Sequence, residues 1–450
     1  MPPRDAAADT HAVPRLEPHQ CTYAYFRAHH LVPNTPCIFP PALVQDWPLR
    51  SRWLTGDCTP HWEYLVERYG ALAIDCVDLS PGPDSGNSAP PGPARTFGAL
   101  VALWRQGAGR AAYLKDWHLA LEVWRAGERD GSAGKGKGKG KERVRDELYE
   151  VPTVCLDDWM NEWEGSEEGR GDDFRFVYAG GGDTFTPLHR DVYCSYSIST
   201  QIYGSKRWYL FPPSCTPFLR PLIAEAEHAD TTVNCDAWSE ARKEEFRARG
   251  MMIIEQHAGE TIFIPSGYYH SVHNLSHPTV SLNHNWLNSH ILPTVYRSLS
   301  DEAARCREAI DDVREMLVKH ARWKGDGEEG WRREWELAVD QLVERSEGWS
   351  WPTFWRMTHH TLRNLDVPPS VLEERAASSR WPAVPPHARP PTAFVVDQVR
   401  PLLADFRARP EQEWRWLTGL DDVLRNVERE LERLQAPCGF GRRRRPRLLF

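Results

Sequence analysis

The chain has 450 residues, 41% of them hydrophobic, with twenty tryptophans and a formal net charge of −8. That length allows about two to four domain-sized units or one enlarged domain with additions. The acidic balance argues against a general nucleic-acid binder, which needs clustered Lys and Arg for phosphate.

No run of about 18 apolar residues is present to span a bilayer, and the first twenty residues carry no apolar segment of the kind a secretion signal needs. Ten cysteines lie scattered between Cys21 and Cys438 without a C-x-x-C pair. This pattern argues against a zinc ribbon and against a secreted disulfide framework. Reduced cysteines and a cytoplasmic location, with the nucleus also open, are the expectation.

In chain order, residues 1–20 are expected to be disordered, and 21–125 mix short helical and extended patterns. A Pro/Gly/Ser loop, SPGPDSGNSAPPGPAR, interrupts them at 80–95, before the helical stretch TFGALVALWRQG. Residues 126–147 form a low-complexity insertion built around GKGKGKGK, too poor in apolar groups to fold. Between 148 and 291 the pattern turns to strands: FRFVYAG, YSISTQIYG, KRWYLFPP, MIIEQ, TIFIP and TVSLNHNW. These segments are β-branched and aromatic, with Gly or Pro at YAGGGD, YGSK, HAGE and PSGYY. The series predicts a mainly β core, an antiparallel barrel or double-sheet jelly roll, with helical additions. The polar segment from Phe218 to Gly250 reads as a helical insertion at one barrel end. Residues 292–377 are helical with a buried face. A Pro-rich loop (378–394), a further helical segment (395–437) and a basic tail (438–450) follow. The tail, ending GRRRRPRLLF, suits a solvated terminus, a nuclear address or an RNA contact.

The chemistry concentrates in TPLHRDVYCSYSISTQIYGSKRWYLFPP, residues 186–213. On a strand, His189 and Asp191 share a face, so one cation can touch both. An imidazole with a carboxylate suits iron(II), manganese or zinc. A third ligand has to come from elsewhere. GETIFIPSGYYHSVHN offers His270 and His273, which face opposite ways along a strand, so only one of them can serve. H-x-D is by itself a weak signal and equally fits a surface pair. Lys206, in an aromatic strand after a glycine turn, is either an edge residue facing water or a cation held for an anion.

Together, T-P-L-H-R-D, G-S-K-R-W-Y-L-F-P-P and G-E-T-I-F-I-P-S-G-Y-Y-H resemble the JmjC dioxygenases, built on the double-stranded β-helix. YLKDWHL, DDWMNEW, FRFVYAG, SYS, VHNL and NHNWLN resemble the subgroup that hydroxylates a lysine of a translation release factor. The likeness runs from about Tyr23 to Asn288, outside the loops and the insertion. It implies an α+β fold: a jelly-roll core with a helical C-terminal region. It implies iron(II), 2-oxoglutarate as cosubstrate and O2, with His189, Asp191 and His270 as the metal ligands and catalytic centre. Tyr113, Thr186, Lys206 and Asn285 match cosubstrate-binding positions. Some relatives carry an asparagine on the strand after H-x-D; here the inward positions are Ser197 and Ser199. The implied partner is a protein substrate, with no membrane and no nucleic acid except through the basic tail. Two other readings remain: a demethylase with the same cofactors, and a non-catalytic binding module.

Overall fold

The computed structural model describes residues 12–79, 94–132, 148–166, 168–324, 328–368, 370–371, 381 and 384–435. The Gly/Lys run, most of the 80–95 loop and the basic tail lie outside the described residues. Eleven strands are described: β1 (Cys37–Phe39), β2 (Cys76–Asp78), β3 (Ala112–Trp117), β4 (Arg175–Gly180), β5 (Phe185–Arg190) and β6 (Tyr196–Tyr203), then β7 (Lys206–Phe211), β8 (Met252–Gln256), β9 (Thr261–Ile264), β10 (Tyr269–Asn274) and β11 (Thr279–Trp286). They form two antiparallel sheets, β1-β9-β6-β11-β4-β3-β2 and β5-β10-β7-β8. Chain neighbours β4 and β5, and β6 and β7, lie in different sheets, which is the winding of a cupin-like jelly roll.

Side-chain alternation explains why these segments become strands. On β4, β6 and β11, Val177, Ala179, Ile202, Val280 and Leu282 point to one face, where they pack with Leu100, Val101, Trp104, Leu114 and Trp117 from the N-terminal part. The intervening residues face the other way, into the barrel, and are mostly polar. The four-stranded sheet buries Leu188, Tyr209 and Phe211 against Leu219 and Phe246 of the 216–247 insertion. That insertion forms the helices Thr216–His228 and Glu240–Arg247, the second capped by Ser239, whose side chain accepts from the Arg242 N–H.

The described residues form two compact units, one within 1–294 and 373–388 and the other within 295–372 and 389–450. The first unit holds both sheets. The second is helical and includes Glu328–Glu347, Trp351–Asn364, Thr392–Ala408 and Leu420–Gln435. Its core centres on Tyr296, Trp351, Phe354, Trp355 and Phe406, with the Trp351 and Phe406 rings 4.8 Å apart.

Three expected boundaries move. Disorder over 1–20 does not hold for residues 12–20: the Leu16 N–H donates to Ile38 O at 2.8 Å, and Arg15 pairs with Glu260 at 2.9 Å. An exposed edge at β1 supplies the free backbone groups that order this segment. The insertion placed at 126–147 begins later, because the helix Leu119–Ser132 runs through its first residues. Once nucleated, a helix adds one hydrogen bond per residue, so it continues past the point where apolar residues stop. The Pro-rich loop placed at 378–394 is partly structural. Trp381 is buried beside Arg175, whose guanidinium lies 4.7 Å from its ring, and the next helix starts at Thr392, three residues early.

Candidate metal and cosubstrate site

His189 sits on β5 and His270 directly opposite it on β10, their rings 4.1 Å apart. The strand ends at Arg190, so Asp191 is the first residue beyond it rather than a strand residue. Its backbone is nonetheless extended (φ −59°, ψ 145°), which keeps its side chain on the His189 side. The chain then turns through Tyr193 and Cys194, both with positive φ (58° and 52°). Non-glycine residues held there cost on the order of 1 kcal/mol each. The Arg170 guanidinium donates to the Tyr193 hydroxyl and is itself bound by Glu164, and Ser266 Oγ donates to the Cys194 carbonyl at 2.5 Å. These bonds hold the strained turn, and through it the carboxylate.

Among the described residues, His189, Asp191 and His270 each offer one donor atom, all within 4.8 Å of one another. His189 Nδ1 lies 2.8 Å from the Pro187 carbonyl, the contact that leaves Nε2 for a metal. Asp191 Oδ2 and His270 Nδ1 are buried with no hydrogen-bond partner. Buried polar atoms without partners are costly and call for a ligand. Burial raises the Asp191 carboxyl pKa, while the His189 charge and the Asn285 amide pull it down. Burial, then His189, pushes His270 well below its usual range, so it is the neutral imidazole a metal needs. A divalent cation reverses the carboxyl shift. Two imidazoles and one carboxylate brought together in this way fit iron(II).

A second group of compatible spacing, His118, Asp172 and Asp173, is neutralised already. Arg175 pairs with Asp173 at 3.0 Å, and His118 Nδ1 lies 3.2 Å from the same carboxylate. It needs no metal.

Deeper in the barrel, Lys206 is 3% exposed and reaches from β7 across to β11, where its ammonium donates to Ser281 Oγ at 2.6 Å. Its Nζ lies 5.7 Å from the Tyr178 ring centre. No carboxylate pairs with it among the described residues. Burial lowers its pKa from 10.5 to about 7, so a bound anion is what restores the charge. The Tyr113 hydroxyl and Thr186 Oγ1 hydrogen-bond each other at 2.9 Å. Tyr113 comes this close because Gly180 faces it in register, and a Cβ at Gly180 would lie 2.7 Å from the Tyr113 ring. Lys206, Ser281, Tyr113 and Thr186 thus offer an ammonium and three hydroxyls, a donor set for a dicarboxylate.

Asn285 lies elsewhere. It is four residues along β11 from Ser281, about 13 Å at strand rise. Its amide donates to Ser195 Oγ at 3.3 Å and accepts from Ser197 Oγ at 3.4 Å, and it lies near enough to Asp191 to pull that carboxyl pKa down against the larger effect of burial. Strand parity aims Asn285 into the barrel at the metal end, away from Lys206 and Ser281. Ser197 and Ser199 do point inward, Ser199 bonding Asn283 at 2.7 Å. His273 points away from His270, stacked on Phe185 with ring centres 5.1 Å apart. The sequence reading missed Ser281 and Tyr178. Ser281 shares its parity with Asn285, the one signal that could have found it.

The Cupin-like domain family matches residues 23–290. Among curated proteins the chain is 32% identical over 310 residues to "2-oxoglutarate and iron-dependent oxygenase JMJD4" of Homo sapiens, covering 67% of each chain. The Danio rerio protein of that name is 31% identical over 304 residues, 66% of this chain and 65% of the relative. "Arginine-specific demethylase JMJ20" of Arabidopsis thaliana is 27% identical over 325 residues, 68% of this chain and 63% of the relative. The chain therefore spans about two thirds of the length of these three relatives. A likeness of this extent, carried by a jelly roll that brings two histidines and an aspartate together beside a buried lysine, means that the chain belongs to the JmjC, cupin-like family of iron- and 2-oxoglutarate-dependent oxygenases.

Proposed function

We propose that this chain is a protein hydroxylase that places oxygen on a lysyl side chain of a translation release factor, using iron(II), 2-oxoglutarate and O2. One observation carries the oxygenase part: a two-histidine, one-carboxylate set with orphaned buried atoms beside a buried lysine that lacks an anion. The lysyl and release-factor parts rest on the motif likeness and on relatives named as oxygenases.

His189, Asp191 and His270 hold the iron. Asn285 and the Tyr193 turn orient the Asp191 carboxylate. Lys206 takes the remote carboxylate of the cosubstrate as a charge-assisted pair, strong in a dry pocket, while Thr186, Tyr113 and Ser281 complete its hydrogen bonds. Burial keeps the Tyr113 hydroxyl protonated, so it stays a donor. When bound, iron and 2-oxoglutarate supply dioxygen activation coupled to decarboxylation of the keto acid to succinate. The apolar wall of Trp208, Leu210, Ile254, Ile262 and Val272 keeps water from that end of the barrel. A cytoplasmic location, with the nucleus accessible, accords with such a substrate.

The test is succinate production by the purified chain with release factor, followed by mass spectrometry for one added oxygen on a lysine. Formaldehyde is measured in parallel, since the Arabidopsis relative is named a demethylase. Formaldehyde with a mass loss supports demethylation instead; succinate without either change removes this substrate.

A further inference from the structure

We propose that Asp116 is the carboxylate that receives the cationic end of the substrate side chain, with Tyr178 and Phe176 as the wall along which its methylenes lie. This rests on the oxygenase reading above and supplies its selectivity.

Asp116 occupies a bulge. From Leu114↔Ala179 to Trp117↔Val177, β3 takes three steps where β4 takes two. The extra residue throws Asp116 out of the ladder, with φ 51°, a conformation Asp tolerates better than most residues. Its side chain is exposed, yet tied to the site. The Tyr178 hydroxyl donates to Asp116 Oδ1 at 2.5 Å, and the same ring lies against Lys206 Nζ and 6.3 Å from Tyr113. Tyr178 and Phe176 pair in register with Ser281 and Asn283, so all four face the barrel interior. Phe176 packs edge-on against His118 at 4.9 Å, closing the wall on the side of Asp116.

The neighbouring acids are already matched. Asp173 is paired with Arg175 and His118, and Asp183 with Arg110. Among the described residues no cation pairs with Asp116. An unmatched carboxylate at the rim of an oxidising site, backed by aromatic rings, suits an alkylammonium: the rings cover the methylenes and the acid meets the charge.

The probe is a pair of heptapeptide libraries with neutral random flanks, one with lysine at the centre and one with norleucine. Each is added to the full chain loaded with Mn(II) and 2-oxoglutarate, and Mn(II)-induced broadening of the central side chain's ε-proton resonances is read. Wild type is expected to favour lysine roughly fivefold, the upper range for a partly exposed ion pair. Asp116→Asn keeps an acceptor for Tyr178 but removes the charge, and the preference should vanish; Asp116→Glu should retain part of it. Equal broadening by the two libraries in wild type, or a preference that survives in Asp116→Asn, overturns the proposal. Failure of the wild type to bind Mn(II) and 2-oxoglutarate overturns the oxygenase reading, and this proposal with it.

Discussion

The two faces of the seven-stranded sheet are made by alternate residues of the same strands, and they do opposite things. On the outer face Val177, Ala179, Ile202, Val280 and Leu282 are buried in an apolar core, stabilising by about 25 cal/mol per Å² removed from water. On the inner face Ser197 bonds Asn285, Ser199 bonds Asn283, and Ser281 accepts from Lys206. That face lines the barrel interior opposite the orphaned atoms of Asp191 and His270 and opposite Lys206 of the four-stranded sheet, a lysine without a counter-ion, and these cost stability when no ligand is bound. One face supports the fold and the other spends part of that stability on a site.

This contrast can be broken from either side. The largest effect belongs to Asp191→Ala: Mn(II) binding and succinate production should both fall below about 1% of wild type, since such residues act as a unit. Mn(II) retained at wild-type affinity would show that the three side chains do not form the site. Next, Lys206→Met should weaken 2-oxoglutarate binding about 100-fold, measured by calorimetry, while raising the melting temperature at pH 7. The sign follows from the lysine. Its pKa falls from 10.5 unfolded to about 7 folded, so folding at pH 7 works against a buried ammonium by on the order of 2–4 kcal/mol. A melting temperature that drops would refute the cost assigned to the inner face.

Leu282→Ala is the outer-face counterpart. It should lower unfolding free energy by about 2–5 kcal/mol in denaturant titrations yet leave 2-oxoglutarate affinity unchanged below the transition. A weakened affinity in the folded variant would mean the faces are coupled. A smaller effect is expected from pH. The protonated lysine binds the dicarboxylate, and the empty site loses that proton as pH rises through about 7. Affinity should therefore be level below that point and fall by up to about tenfold per unit above it. Calorimetry in buffers of different ionisation enthalpy should show proton uptake on binding; none would place the lysine charged throughout. The smallest effect is Ser199→Ala, which removes one hydrogen bond to Asn283 and should cost no more than about 1 kcal/mol.

Much of this was legible beforehand. Strand alternation in YSISTQIYG and TVSLNHNW marks β6 and β11 within a residue or two, because strands buried between an apolar core and a polar barrel interior write those two faces into the sequence. The polar segment read as a helical insertion does form the helices Thr216–His228 and Glu240–Arg247. Short pieces were harder. Nothing local distinguishes β2, three residues long, from a loop, and residues 12–20 are ordered by long-range partners, the edge of β1 and Glu260. Asp116 was invisible, since a bulge is a property of two paired strands and not of either alone.

The sequence by itself determined parity: that His189 and Asp191 share a side, that His270 and His273 cannot, and that Ser197 and Ser199 point inward. A period of two is a local consequence of the extended backbone. Which strands lie beside which, and in what register, was decided only by the folded sheets. That is what set His270 opposite His189, brought Lys206 to Ser281 across the barrel, and set Asn285 beside Ser195 and Ser197. Register depends on pairing between segments tens of residues apart, and on bulges and turns that shift it by one, so no single stretch of chain encodes it.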